Sequence, residues 1–396
     1  MANQLVDGRP EAAGMSSDQL RVAAQRADQW VKGGLATGVV VLVARRGRIV
    51  LHEAFGRLTT DPGAPPLPTD AIFPIASIDK PITATTVMCL VDNGLVDLND
   101  PVQKYIPEFV GEGKERVLVH HLLTHTSGLR DEDAAAHGEQ KKLRTTIPPP
   151  PSNLHPDVAE RLFLWSDAPL WKPPGTEMSY CGFGFNLLSE IVRRVSGQAQ
   201  WEFAADRIFR PLGMNDTSLG LPNSKRERFA RRYSDDGTAL TTAFLGYLED
   251  PAYQEAWGVH STARDLAVFG QMYLQGGSYG ATRILSPSTI ALMTRNHIPS
   301  IPVWFGGYFF AEGSWGFGWE IQGEKHEKSG PSRCSPRTFS HPGGGGTYIW
   351  VDPVTEVVGI FFSLRTASNP SDRRPFRHGG PIVDAITAAI CQDGMR

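Results

Sequence analysis

The chain has 396 residues, a formal net charge of −3, 41% hydrophobic and 20% charged residues. These are globular values, and the length exceeds the roughly 250–300 residues at which a single core stops growing, so two lobes are expected. No basic tract is present, which argues against nucleic acid or an anionic membrane as partner and leaves a small molecule.

Residues 1–20 hold no apolar core of signal-peptide type, and no run approaches the roughly 18 apolar residues of a membrane span, so a cytoplasmic location is expected. Cys89, Cys181, Cys334 and Cys391 are far apart and form no C-x-x-C pair. Neither a disulfide framework nor a zinc site is suggested, and no metal or cofactor is expected.

Along the chain, a short amphipathic stretch at 20–31 precedes the first strong strand pattern, 38–44, which turns through Arg45-Arg46-Gly47-Arg48 into 49–56 and reads as a β-hairpin. A Pro-rich link at 61–69 leads to extended Phe73-Pro74-Ile75 and then to a largely apolar helix, 77–93, stopped at Asn93-Gly94. From 95 to about 263 the pattern is mostly helical: a turn at 97–101 starts a short helix, 120–129 reads as a helix with a glycine stop, and helices follow at 158–165, 183–195 and 201–208. The segment 131–156 shows no apolar period and reads as a loop. Strands return at 315–321, 338–341, 347–351 and 357–364, and a last helix runs 381–391. Strands at both ends with helices between predict an α/β (α+β) fold: an antiparallel sheet flanked by helices and built from both termini (1–94 and 264–396), with an inserted helical domain (95–263) and the active site in the cleft between them.

Three stretches carry chemistry. In Ser77-Ile78-Asp79-Lys80 the spacing of three puts hydroxyl and amine on one helix face. A helix start near Ser77 favours negative charge there, and a partly desolvated Lys80 is able to hold or accept the proton, which makes an activated serine. Pro81 lacks the amide that would bond the Ser77 carbonyl, so an irregular helix start is expected. Taken alone the four residues also fit a surface coincidence. In Lys172-Pro173-Pro174-Gly175-Thr176-Glu177-Met178-Ser179-Tyr180 a turn delivers a tyrosine just before a helix; a phenol acts as a base only beside a cation, and Lys80 is a candidate. A packed aromatic fits Tyr180 as well. In Ser340-His341-Pro342-Gly343-Gly344-Gly345-Gly346-Thr347 the glycines let a substrate lie against backbone whose amides, with that of Ser77, bind an oxyanion; a flexible turn fits them equally.

Together these stretches resemble the serine β-lactamase and penicillin-binding-protein superfamily, in its class C-like branch with the family VIII carboxylesterases. The likeness spans nearly the whole chain and extends to His121-Leu122-Leu123-Thr124-His125-Thr126-Ser127-Gly128-Leu129, Pro174-Gly175-Thr176, Pro211-Leu212-Gly213-Met214 and Ser261-Thr262-Ala263-Arg264-Asp265-Leu266. The resemblance implies Ser77 as nucleophile, Lys80 and Tyr180 as its proton-handling partners with the choice of base open, and the His341-Pro342-Gly343 strand, continuing to Gly344, as substrate wall and oxyanion donor. Two departures bear on substrate: Tyr180-Cys181-Gly182 stands where the branch often has Tyr-Ser-Asn, and His341-Pro342-Gly343 where lactamases have Lys-Thr-Gly. An anionic substrate loses its anchor, whereas Phe183, Trp257, Trp304, Phe305 and Tyr308 offer apolar surface. The expected activity is cleavage of carboxylic esters with small to medium apolar acyl groups through an acyl-enzyme on Ser77. A β-lactamase, a D-amino-acid peptidase, an acyltransferase and an inactive ligand-binding relative remain alternatives, and the oligomeric state stays open.

Two decoys are set aside. Gly276-Gly277-Ser278-Tyr279-Gly280 matches G-x-S-x-G, but a nucleophile elbow needs strand then helix, and here the order is reversed. His121 and His125 are four apart, yet neither His-Glu-x-x-His spacing nor a third ligand accompanies them, so both read as structural.

Overall fold

A computed structural model describes residues 4–59, 61, 63–230, 258–305, 308–324, 331–365 and 379–391. The principal elements in chain order are β1 (Val6–Asp7), α1 (Ser17–Lys32), β2 (Ala36–Arg45), β3 (Arg48–Gly56), α2 (Asp79–Asp92), α3 (Val119–Leu123), α4 (Asp131–Lys142), α5 (Pro156–Trp165), α6 (Gly182–Ser196), α7 (Ala263–Leu274), β4 (Glu320–Ile321), β5 (Phe339–Gly343), β6 (Thr347–Asp352), β7 (Val357–Arg365) and α8 (Gly380–Ala388). Two compact units are present: Met1–Asp79 with Phe209–Ile284 and Ile321–Arg396, and Lys80–Ile208 with Leu285–Glu320. The division falls inside α2, and it assigns 80–94, 209–263 and 285–320 differently from the lobes drawn on the sequence.

The first unit is organised by a sheet of order β1-β3-β2-β7-β6-β5-β4, antiparallel from β3 to β5 and joining strands from both ends of the chain. Central β2 explains its apolar run: Val39 through Ala44 are all 0% exposed, because helices cover both faces. Val39, Val41 and Val43 pack with Leu20, Ala23 and Ala27 of α1 and Ile382, Val383 and Ile386 of α8. On the opposite face, α7 comes so close that a Cβ at Gly270 would sit 2.7 Å from Val358 Cγ1 and 3.2 Å from Val351 Cγ2. Each fully buried valine is worth roughly 1.5–3 kcal/mol relative to exposure, so this β2 layer anchors the unit. The amphipathic expectation at 20–31 widens to α1, begun by Ser16, whose Oγ accepts from Gln19 N at 3.3 Å.

In the second unit α2 is buried all round, from Lys80 to Leu90, as its lack of charge implied. Three expectations are corrected. The segment 131–156 is not wholly a loop, because 131–142 forms α4, with Asp131, Glu132 and Asp133 in its first turn and Lys141 and Lys142 in its last, a charge order that suits the helix dipole without any apolar period. The helix expected over 120–129 stops at Leu123, and His125 takes a left-handed φ of 56°. The strand expected over 315–321 is reduced to Glu320–Ile321, since Gly318 has a φ of 75° and Gly316 N–H bonds Trp319 O across a tight turn. No described helix is long and apolar enough to cross a membrane.

Candidate active site

Ser77 lies in the first unit, in a 3-10 turn (Ala76–Ile78) that runs directly into α2, so the irregular helix start expected from Pro81 is present. The turn is forced: Ala76, with no glycine's freedom, holds a φ of 47°. Bonds on either side of Ile75 fix it, the Ile75 amide donating to Val259 O at 2.9 Å and the Ile75 carbonyl accepting from Thr347 Oγ1 at 3.1 Å. β5 also presses on this turn, since a Cβ at Gly343 would lie 2.3 Å from Ile75 O and 2.0 Å from Thr347 Oγ1. Only glycine permits that approach. Gly344 opens the turn to β6, in which Gly345 and Gly346 have φ values of 85° and 102°. His341 is 0% exposed, and its Nδ1 is 2.7 Å from the Pro342 carbonyl, so its ring is part of the interior rather than an open wall.

Lys80 and Tyr180 lie together in the second unit. The Lys80 ammonium, on a residue only 6% exposed, is 5.2 Å from the centroid of the Tyr180 ring and 5.7 Å from that of Phe185. Tyr180 is further enclosed by Trp315, whose ring centroid is 6.0 Å away in an edge-on arrangement. The cation thus lies against the aromatic face of the phenol, where the ring attracts it.

The backbone around Tyr180 is tied down residue by residue. Strand Met178–Ser179 pairs in parallel with Val303–Phe305. The Ser179 amide donates to His125 O (3.0 Å), Tyr180 to Trp304 O (3.2 Å), Cys181 to His125 Nδ1 (3.1 Å), Gly182 to Asp131 Oδ2 (2.7 Å) and Phe183 to Asp131 Oδ1 (2.8 Å). Asp131 thereby caps the N-terminus of α6, where unpaired amides and the dipole welcome a carboxylate. It also accepts from Cys181 Sγ at 3.2 Å, and burial pushes that thiol's pKa well above its ordinary value. A Cβ at Gly182 would stand 3.1 Å from Asp131 Oδ2, so a glycine at this position makes room for the cap.

Of the remaining candidates, Phe183 is 1% exposed and packs its ring on Trp165 at 5.4 Å, so it belongs to the core. Trp304 is 44% exposed and lies 5.3 Å from the ring of Phe309, an aromatic pair on a hairpin that adjoins the tyrosine strand. Trp257 lies outside the described residues, as do the side chains of Phe305 and Tyr308. Ser278 sits in a two-residue strand paired with Thr282–Arg283 and not at a strand-to-helix elbow. Sequence reasoning missed Asp131 and gave His125 no part in the site. The usable signals were the acidic triplet opening α4 and a histidine, one of the residue types that tolerates positive φ, before Thr-Ser-Gly.

The Beta-lactamase family profile matches residues 27–380. Protein Rv1367c of Mycobacterium tuberculosis (strain ATCC 25618 / H37Rv) is 27% identical over 389 residues, covering 90% of this chain and 92% of its own. Esterase EstB of Burkholderia gladioli is 34% identical over 216 residues, 52% of this chain and 53% of its own. The crystal structure of a family VIII carboxylesterase superposes with a TM-score of 0.70 at 23% identity, covering 95% of this chain and 99% of that one. A profile match across most of the length, on a sheet assembled from both termini, establishes that the chain belongs to the Beta-lactamase family of serine hydrolases.

Proposed function

We propose that the protein is a serine carboxylesterase that cleaves esters with small to medium apolar acyl groups. The observation that carries this reading is the buried Lys80 ammonium against the Tyr180 ring, with Ser77 three residues before that lysine. Ser77 Oγ attacks the ester carbonyl as the Lys80–Tyr180 pair takes its proton; the amides of Ser77 and Gly344 receive the developing oxyanion. The pair then returns the proton to the leaving alkoxide; water, deprotonated by the same pair, attacks the acyl carbon, the bond to Ser77 Oγ breaks, and the proton returns to Ser77 as the acid leaves. Either member of the pair is able to serve as the base in this reading.

Two features favour esters over β-lactams. The position of the lactamase lysine holds His341, a wholly buried residue, so this position offers no lysine ammonium to a substrate carboxylate. The exposed Trp304 supplies apolar contact instead. The likeness to an esterase and to a family VIII carboxylesterase is in keeping with both. The test is kcat/KM for p-nitrophenyl acetate and butyrate beside nitrocefin and an unstrained amide. The esters are expected to be the better substrates; nitrocefin ahead by tenfold, about 1.4 kcal/mol of transition-state binding, overturns the esterase reading in favour of a lactamase.

A further inference from the structure

The residue with most to say about Tyr180 is not one of the three proposed catalytic side chains. His125 touches the tyrosine segment in three ways at once: its carbonyl accepts from Ser179 N–H at 3.0 Å, its Nδ1 accepts from Cys181 N–H at 3.1 Å, and its ring lies 4.4 Å from the Tyr180 ring at an interplanar angle of 33°. The backbone is thus gripped one residue before and one residue after the phenol. Nδ1 is able to accept only if it carries no proton, so the imidazole is held neutral with its hydrogen on Nε2.

His125 is itself held in place at a backbone cost. Its φ of 56° is left-handed. The loop that imposes it is pinned on both flanks: Thr124 and Thr126 hydroxyls bond each other at 2.8 Å, Thr126 O accepts from Gly175 N at 2.8 Å, and Gly128 O accepts from Trp171 N at 2.8 Å. A Cβ at Gly128 would lie 2.1 Å from Lys172 O, so the two segments touch backbone to backbone. The His-Thr-Ser-Gly loop, the Pro-Gly turn and the tyrosine strand therefore form one hydrogen-bonded piece, with His125 at its end nearest the phenol.

We propose that His125 is a positioning residue for the reaction, holding the Tyr180 phenol in the geometry for proton transfer through its paired backbone bonds and its ring contact. The inference rests on the reading of Tyr180 as a proton-handling group. A misplacement of about 1 Å is enough to cost on the order of 10²-fold in rate, so loosening this grip is visible in turnover while substrate binding stays nearly intact.

The experiment measures kcat and KM for p-nitrophenyl butyrate in His125→Phe, His125→Asn, Tyr180→Phe and the His125→Phe/Tyr180→Phe double variant, each first checked for cooperative thermal unfolding. Phenylalanine keeps a ring and removes the acceptor. Asparagine places a carbonyl oxygen near the Nδ1 position and tolerates positive φ. His125→Phe is expected to lose about 10²-fold in kcat with KM within about threefold, and His125→Asn to recover to within about tenfold of wild type. In the Tyr180→Phe background His125→Phe is expected to add less than about threefold, because its effect passes through the phenol. Should His125→Phe fail to fold, His125→Leu, which also removes the acceptor, carries the same expectations. Wild-type kcat in His125→Phe, equal losses in both backgrounds, or an asparagine variant no better than phenylalanine overturns the positioning role alone. Wild-type kcat in Tyr180→Phe overturns that role together with the reading of Tyr180.

Discussion

At the scale of single residues the account turns on a few atoms held against their preferences. Ala76 in the left-handed region and the glycine-only approach of β5 to Ile75 O fix the turn that bears Ser77. Ser77→Ala is expected to abolish turnover and covalent labelling, since without the nucleophile only roughly 10³–10⁴-fold acceleration over water remains; measured kcat within tenfold of wild type would remove Ser77 from the mechanism. Gly343→Ala puts a methyl into space already filled by Ile75 O and Thr347 Oγ1, an overpacking worth roughly 1–3 kcal/mol, and should lower both Tm and kcat. Tyr180→Phe should lower kcat far more than it raises KM. Ser77, Lys80 and Tyr180 could be proposed from the sequence because chemistry-bearing residues stand at defined spacings beside strong helix and turn signals. His125 and Asp131 were not, because their work is to accept backbone hydrogen bonds from 50 or more residues away. Such partners leave no local pattern. The expectation that Phe183 and His341 face substrate met a different limit, because residue type tells that a ring is apolar or polar but not which way it points.

Among elements, the clearest lesson is α4. Its apolar period is absent, so periodicity hid it, yet acidic residues at one end and lysines at the other suit the dipole, and Asp131 at its start caps α6. Asp131→Ala should destabilise the fold by roughly 0.5–2 kcal/mol, the usual worth of a cap, read as a fall in Tm with the Cys181 and Phe183 region losing hydrogen-exchange protection. A second element carries a pH signature. Strand Val259–Ser261 lies between Phe73–Pro74, which leads to Ser77, and Ser218–Leu219. Its His260 is 1% exposed, and burial lowers its pKa from 6.5 to about 4. The folded state therefore resists protonation more than the unfolded one, so this stability is complete above about pH 6.5 and is lost as pH falls toward 4. The stability lost across that range is on the order of 3 kcal/mol. His260→Phe should flatten the fall of Tm between pH 6.5 and 4; an unchanged slope would show that His260 does not set it.

On the scale of the whole molecule, the sheet shared by the two ends of the chain was readable because β2 and β7 are mostly apolar runs of strand length, as strands covered on both faces are. The borders of the compact units were not readable, since one of them cuts through helix α2 and no change of composition marks it. The central claim is that one serine at this helix start is chemically activated. The measurement that tests it most directly is labelling of the intact protein with a fluorophosphonate, followed by mass mapping of the labelled peptide. The account predicts stoichiometric label on the peptide that contains Ser77, lost in Ser77→Ala and slowed by at least an order of magnitude in Tyr180→Phe. Label on Ser278, or no label on a protein that unfolds cooperatively, would contradict it.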